Sequence, residues 1–372
     1  MTAILAAKRT AVVPRGGAFA RLDIEDLASP VIAALLDQAG ILPDRVDEII
    51  VSNALGAGGN PARRVALAAG LPEHVAGLSI DRQCAGGLDA ILLARALVES
   101  GAAEVVIAGG VESYSRRPLR FRTDPDGGPA MEYDQARFTP WPDHDPGMAE
   151  AAQALAARLG ISRAAQDDWA VESHRKARVL PGEVVGLLGQ DKDAFARGLK
   201  PAVAARAKPV CGTITAANAA VAADAAAFVL VVSDPIAAGR GLRLLGGVTL
   251  GGDPVEPGLA PVAAIRAVLA GAGVAPQDLA MAEVMEAYAV QAIACVTGAG
   301  LNPALVNIGG GALARGHPIG ASGAVLAVRL FYELTAGKGL AAIAAAGGIG
   351  SALLVERVLP VQFPGDATGR LG

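Results

Sequence analysis

Aromatic residues are scarce: Phe, Tyr and Trp make up 3% of 372 residues, although 52% of the chain is hydrophobic. The interior must therefore be filled by Ala, Val, Leu and Ile, and 47 glycines allow backbones to approach closely. Cysteine is equally sparse. Three of them without paired spacing exclude a disulfide framework and a structural zinc site. No excess of positive charge exists, since the formal net charge is −4, so a broad basic field for nucleic acid or anionic lipid is absent. The mean hydropathy of +0.42 would suit a membrane protein. Yet no run reaches the roughly 18 apolar residues that a spanning helix needs. The amino-terminal MTAILAAKRTAVV is too short and too polar for a secretory signal. A soluble, Ala-rich cytoplasmic protein without a metal site is expected.

What is present is a duplication. PVIAALLDQAGILPDRVDEIIV, opened by Pro30, reads as helix, turn at Pro43, then apolar strand. PVAAIRAVLAGAGVAPQDLAMAEV, opened by Pro261, has the same order. A second pair runs from Gly86 to Ser113 and from Gly320 to Ser351, with Arg95 matching Arg329 and Gly109-Gly110 matching Gly347-Gly348. Amphipathic helices alternating with continuous apolar strands indicate buried parallel strands with crossover helices. The expected class is α/β, built as two similar halves. Residues 1–114 form the first, completed by about 211–235 through strands around Thr213–Asn218 and Ala226–Val232; residues 236–372 form the second. Residues 115–210 begin with the loop-like SRRPLRFRTDPDGG and continue into helices, one starting at Ser162 with Gln166, and read as an inserted loop domain.

The strand-like VAGLSID leads through Arg82 and Gln83 to Cys84, and the helix AGGLDAILLARALVES follows at once. That elbow places the thiol at a helix amino terminus, where free N–H groups favour a thiolate. Gly86 and Gly87 leave room for another backbone or a substrate. Cys295, within AVQAIACVTG, and Cys211, before a strand, read as structural. In the second half the equivalent helix start brings Gly316, His317, Pro318 and Ile319. Two related helices meeting across a pseudo-twofold would join Cys84 to His317, a recurrent way to activate a cysteine. His144 reads as lying near a pocket mouth, His74 and His174 as surface residues.

These segments resemble the thiolase family. DRQCAGGLDA is similar to its nucleophile segment, NIGGGALARGHPIGASG to its histidine segment, and GTITAANAAVAADAAAFVLV to its GTVTAGNAS-type stretch. Matches recur from about residue 50 to 356, including DPGMAEAAQALAARLGISRAAQDDWAVESHRKA and GLAAIAAAGGIGSALLVE. The resemblance implies a duplicated αβαβα five-layer sandwich of two mixed five-stranded sheets, with a loop domain that binds coenzyme A. It also implies acyl-CoA substrates, an acyl-cysteine on Cys84, no permanently bound cofactor, and a homodimer or homotetramer.

Three positions depart from the family pattern. Ala344 stands where a second, acid/base cysteine is usual, and an alanine methyl carries no proton. Met285 replaces the Asn of the NEAF segment, which reads Met285-Glu286-Ala287-Tyr288 here, so one oxyanion site is expected to be altered; losing such a donor costs about a hundredfold in rate. Ala220 stands where a Ser near the substrate is usual. The other oxyanion site, from N–H groups near Cys84 and Ala346, needs no side chain. The expected activity is acyl transfer through Cys84 to an acceptor that needs no cysteine base. Three alternatives stay open. One is an ordinary acetyl-CoA acetyltransferase or 3-ketoacyl-CoA thiolase with Glu286 moving the proton. Another is a degenerate paralogue that binds CoA thioesters or supports a companion subunit. The third, a dinucleotide site at GAGGNP, lacks the last glycine because Pro61 stands there. Met148 and Arg197 are expected near the substrate, with Arg116, Arg117, Arg120, Arg122, Lys200, Arg206 and Lys208 as further candidates for CoA phosphates.

Overall fold

The computed structural model describes residues 2–56 and 58–357, so the end of the expected second half, residues 358–372, lies outside the described residues. The first half contains β1 (Thr2–Thr10), α1 (Ile24–Ala39), β2 (Glu48–Ser52), α2 (Pro61–Ala68), β3 (Leu78–Ile80), α3 (Gly86–Glu99) and β4 (Val105–Glu112). The loop region carries α4 (Met148–Leu159) and α5 (Arg163–Lys176), and β5 (Ala223–Ser233) returns to the first sheet. The second half contains β6 (Leu242–Gly251), α6 (Ala260–Gly271), β7 (Leu279–Val284), α7 (Ala289–Ala299), α8 (Ser322–Glu333), β8 (Gly337–Ala345) and β9 (Ile349–Arg357).

Strand order in the first half is β3-β2-β4-β5-β1, and in the second β7-β8-β9-β6. Both sheets are mixed: β2, β3 and β4 pair in parallel, as do β7 and β8, whereas β5 and β9 run antiparallel to their neighbours. The counterpart of β3 in the second half is reduced to one parallel bridge, Val306 to Ala282, outside β7. The two sheets join where Ala3 and Ile4 of β1 face Arg243 and Leu242 of β6. This gives five layers. Helices α3 and α8 fill the middle, α1 and α2 cover one outer face, and α6 and α7 the other.

Three buried apolar clusters follow from those layers. The central one joins Leu88 and Ile91 of α3 to Leu326 and Val328 of α8. The outer two lie beneath α1 and beneath α6. Small residues set the spacing of the middle layer: a Cβ on Gly87 would lie 2.8 Å from Ala324 N, and one on Gly323 only 2.4 Å from Leu88 N. The helices therefore cross in backbone contact, which brings their amino-terminal turns together.

The structure departs from the sequence pattern at several places. Helix α1 begins six residues before Pro30, because the Asp26 carboxylate accepts from the N–H of the Asp23 cap and nucleates an earlier start. Ile214–Thr215 pairs with Pro209–Cys211 inside the loop region and does not join the first sheet. Gly109 and Gly110 lie within extended β4, whereas Gly347 and Gly348, at φ +80° and +78°, form the β8–β9 turn. The two glycine pairs are thus not equivalent. Ser162 does cap α5, accepting from Ala165 N at 3.2 Å, while Gln166 turns instead to Ile161 O and Thr213 Oγ1.

Candidate active site

Cys84 lies in the 3-10 turn Gln83–Ala85 between β3 and α3. Gln83 takes a left-handed backbone, φ +49°, rare for a residue with a side chain. The Asp81 carboxylate holds it there, accepting from Gln83 N at 2.8 Å and Nε2 at 3.0 Å. Gly86 follows because a Cβ would sit 2.1 Å from Ser52 Oγ. A strained, locally braced elbow thus presents the sulfur.

His317 is placed by backbone. Its N–H donates to Val221 O at 2.7 Å, beside β5, and the preceding Gly316 has φ +117°. The imidazole Nε2 lies 3.2 Å from Cys84 Sγ, and Nδ1 lies 2.7 Å from Ser322 Oγ. Ser322 spends its own proton on Pro318 O at 3.0 Å, so it accepts from Nδ1–H. This assigns the tautomer: Nε2 keeps its lone pair toward the thiol. Ser322, missed in the sequence, is legible only as the first residue of α8.

Burial pushes the Cys84 thiol up to about 12, although the N–H groups of Cys84 and Ala346 pull it the other way. Burial also pushes His317 down to about 4. The resting pair is therefore neutral thiol and neutral imidazole, not the thiolate expected from the helix terminus. Desolvation outweighs the helix dipole here. The two amides facing the sulfur form a ready cradle for a developing oxyanion.

Glu112, at the end of β4, braces this arrangement across the halves. Its carboxylate accepts from Gly320 N at 2.9 Å, Ala54 N at 3.0 Å and Asn53 Nδ2 at 2.7 Å. Burial raises it to about 7, offset in part by the N–H groups of Gly320, Ala54 and Leu55. No motif singled it out.

The pair opens into a cavity of about 540 Å³. Ala220, Ala222 and Ala344 to Ala346 line it beside Cys84 and His317; Met148, Ala151, Ala152 and Leu155 of α4 form one wall, and Pro257, Gly258, Tyr288 and Gln291 another. Leu55, Arg117, Arg120, Asp134 and Phe138 also line it. Arg120 donates to Leu55 O at 2.6 Å and Arg117 pairs with Asp134 at 2.5 Å, so these two members of the basic cluster reach the cavity.

Other expected residues lie elsewhere. Met285 belongs to the central apolar cluster against which Cys84 packs and does not line the cavity. Glu286, 1% exposed, accepts from Trp169 Nε1, Ser173 Oγ, Asn307 Nδ2 and Leu313 N. It anchors the loop region to the second half, and neither touches substrate space nor is placed to move a proton there. Arg197 stacks on Phe195, 4.1 Å from the ring centroid, outside the cavity lining. His174, expected at the surface, is 5% exposed; burial and then Arg197 hold it down at about 4. His144 packs edge-on against Trp141 and does not line the cavity. Arg116 pairs with Asp23, Arg122 stacks on Tyr133, and Arg206 bonds Ala202 O, so none of these reaches the cavity. Among the described residues, no His, Cys, Asp or Glu cluster could hold a metal ion, and no helix is long and apolar enough to cross a membrane.

A doubled sheet with a thiol and an imidazole at its two central helix starts defines an acyl-transfer scaffold. The chain belongs to the thiolase family: the thiolase amino-terminal domain model matches residues 2–182 and the carboxy-terminal domain model residues 242–357. It is 42% identical to YhfS of Bacillus subtilis over 95% of this chain and 98% of that protein. It is 35% identical to VraB of Staphylococcus aureus, with the same coverage. Both carry the provisional name acetyl-CoA C-acetyltransferase. Among solved structures it is similar to the Acat5 thiolase of Ascaris suum in complex with coenzyme A (TM-score 0.89, 28% identity, 96% and 100% of the two chains). It is likewise similar to the acetyl-CoA acetyltransferase of Bacillus anthracis (TM-score 0.87, 32% identity, 96% and 98%). It is an acyltransferase of this family, whose substrates are CoA thioesters.

Proposed function

We propose that the chain moves an acyl group from a CoA thioester onto Cys84 and then to an acceptor, without efficient classical thiolysis. In the first step Cys84 Sγ attacks the thioester carbonyl while its proton passes to His317 Nε2. The amides of Cys84 and Ala346 take the oxyanion. The C–S bond to CoA then breaks, and the CoA thiolate leaves with the proton from His317. In the second step an acceptor that carries a proton gives it to His317 as it attacks the acyl carbon, and the Cys84 thiolate departs and recovers that proton; a decarboxylating donor releases CO2 instead, and the thiolate then takes its proton from water.

The observation carrying the proposal is the alanine wall. Ala344, Ala345 and Ala346 line the cavity beside Cys84, and a methyl cannot remove an α-proton or deprotonate CoA. Met285 supports the same reading, since a thioether in the central apolar cluster holds no water for the thioester oxygen. The acceptor is then an alcohol, an amine, a reactive carbon, a decarboxylating donor or water. The working unit would be a cytoplasmic homodimer or homotetramer, and Arg117 and Arg120, which line the cavity, would meet CoA. The relatives' acetyl-CoA C-acetyltransferase names favour a second reading, ordinary carbon–carbon bond chemistry. Acetoacetyl-CoA thiolysis by the native chain and by Ala344→Cys separates the two. Our reading expects turnover to appear or rise at least about tenfold on adding the cysteine. Ordinary thiolase turnover by the native chain would favour the second.

A further inference from the structure

Tyr288 stands at the start of α7, clamped by a bridge from its backbone to Ala219 and by the Ala220 N–H donating to Ala287 O at 3.0 Å. It lines the cavity with Cys84 and is half-buried. Its ring packs in the cluster formed by Ala152 and Leu155. Yet its hydroxyl makes no hydrogen bond with any described residue. On the wall of the cavity and without a protein partner, the hydroxyl is free to bond a molecule that enters. Gln291, one turn further along α7, is already engaged: its Oε1 accepts from Ala287 N and its Nε2 meets Cys295 Sγ. Burial, reinforced by the neighbouring Glu150 carboxylate, pushes Tyr288 up to about 12. It therefore stays protonated through the neutral range and can donate.

The thioester oxygen already has two donors, the amides of Cys84 and Ala346, and a simple acyl tail offers no other polar atom. Resting on the acyl-transfer reading above, we propose that the Tyr288 hydroxyl hydrogen-bonds the acyl acceptor, which is a small polar molecule carrying an oxygen beside its nucleophilic atom. The acceptor's lone pair attacks the acyl carbon, its proton goes to His317 Nε2, and the acyl–Cys84 bond breaks. Tyr288 orients the acceptor and exchanges no proton.

The test separates the half-reactions. Native protein and Tyr288→Phe are acetylated with acetyl-CoA, with Cys84 occupancy followed by mass spectrometry. The desalted acetyl-enzymes are then discharged with hydroxylamine as the probe. We expect equal acetylation rates, discharge slower by about tenfold in the variant, and an unchanged Tm because the hydroxyl bonds no group of the protein. Equal discharge rates would overturn the assignment. An equal loss in both steps would also overturn it, by giving the hydroxyl to CoA, and a lowered Tm would do so by giving it a structural role. Failure of Cys84 to acetylate in the native protein would instead sink the acyl-transfer reading itself.

Discussion

Cys84 sits in the turn Gln83–Ala85 that starts α3, and His317 stands two residues before the turn Ile319–Ala321 that starts α8. The first turn is held by its own neighbourhood. Asp81 fixes Gln83, and Arg82 pairs with Asp89 at 3.0 Å. The second is held largely from outside. Glu112 reaches across from the first half to Gly320, while Arg315 donates to Gly309 O and Gly310 O and pairs with Asp193 of the loop region at 3.2 Å. The helices behind them differ in the same sense. Arg95 of α3 pairs at the surface with Glu99, whereas the matching Arg329 of α8 is fully buried against Glu183 and Glu333. Glu183 also holds Arg9 at 2.7 Å, and Arg178 caps the chain through Glu333. The loop region therefore does more than wall the cavity. Its acids neutralise buried arginines that fix the histidine half.

Four substitutions test this contrast. The largest effect is expected from His317→Ala, which should slow Cys84 acylation by about 10² to 10⁴-fold, read by mass-resolved kinetics, while leaving the fold intact. A loss below about threefold would mean that the second elbow supplies no base. Next is Glu183→Gln, which strands two buried guanidiniums and should cost about 3–5 kcal/mol in denaturant unfolding. Glu99→Gln, at the matching surface pair, should stay within about 0.5 kcal/mol. Equal losses would erase the contrast between the helices. The same asymmetry carries a pH signature. Burial alone would raise Glu183, but Arg9 and Arg329 hold it down at about 2. A folded value below the ordinary 4.5 means that its stabilisation is present above pH 4.5 and lost as pH falls toward 2. That contribution is of order 3 kcal/mol and should be absent from Glu183→Gln. A further variant tests the seam itself. Gly323→Ala drives a methyl to 2.4 Å from Leu88 N and should lower stability by about 1–3 kcal/mol, with a matching loss of acylation rate as the elbows part. Unchanged stability would show that the helices can separate freely.

Much of this was legible in the sequence because it rests on local pattern. The repeated helix–turn–strand order, the apolar strands and the glycine-dense flanks of Cys84 and His317 all reflect backbone demands that leave residue-type signatures. The elbow residues were found for that reason. Side-chain direction was not legible. Met285, Glu286 and Tyr288 are near neighbours in sequence, yet they face the central core, the loop-region anchor and the cavity respectively. Arg95 and Arg329 look equivalent until Glu183, from a distant segment, meets only one of them. The thiol's protonation is hidden from the sequence for a related reason. A helix start is visible in sequence, whereas the depth of burial that outweighs it depends on the whole assembled middle layer.

The central claim is that Cys84, with His317 as its base, accepts an acyl group from CoA. The most direct measurement is intact-protein and peptide mass spectrometry after mixing the native chain with acetyl-CoA, with Cys84→Ala as control. One acetyl group is expected on the peptide containing Cys84, with equimolar release of CoA, and neither event in the variant. Free CoA without an acetylated Cys84 at any time, or a label that persists in Cys84→Ala, would contradict it.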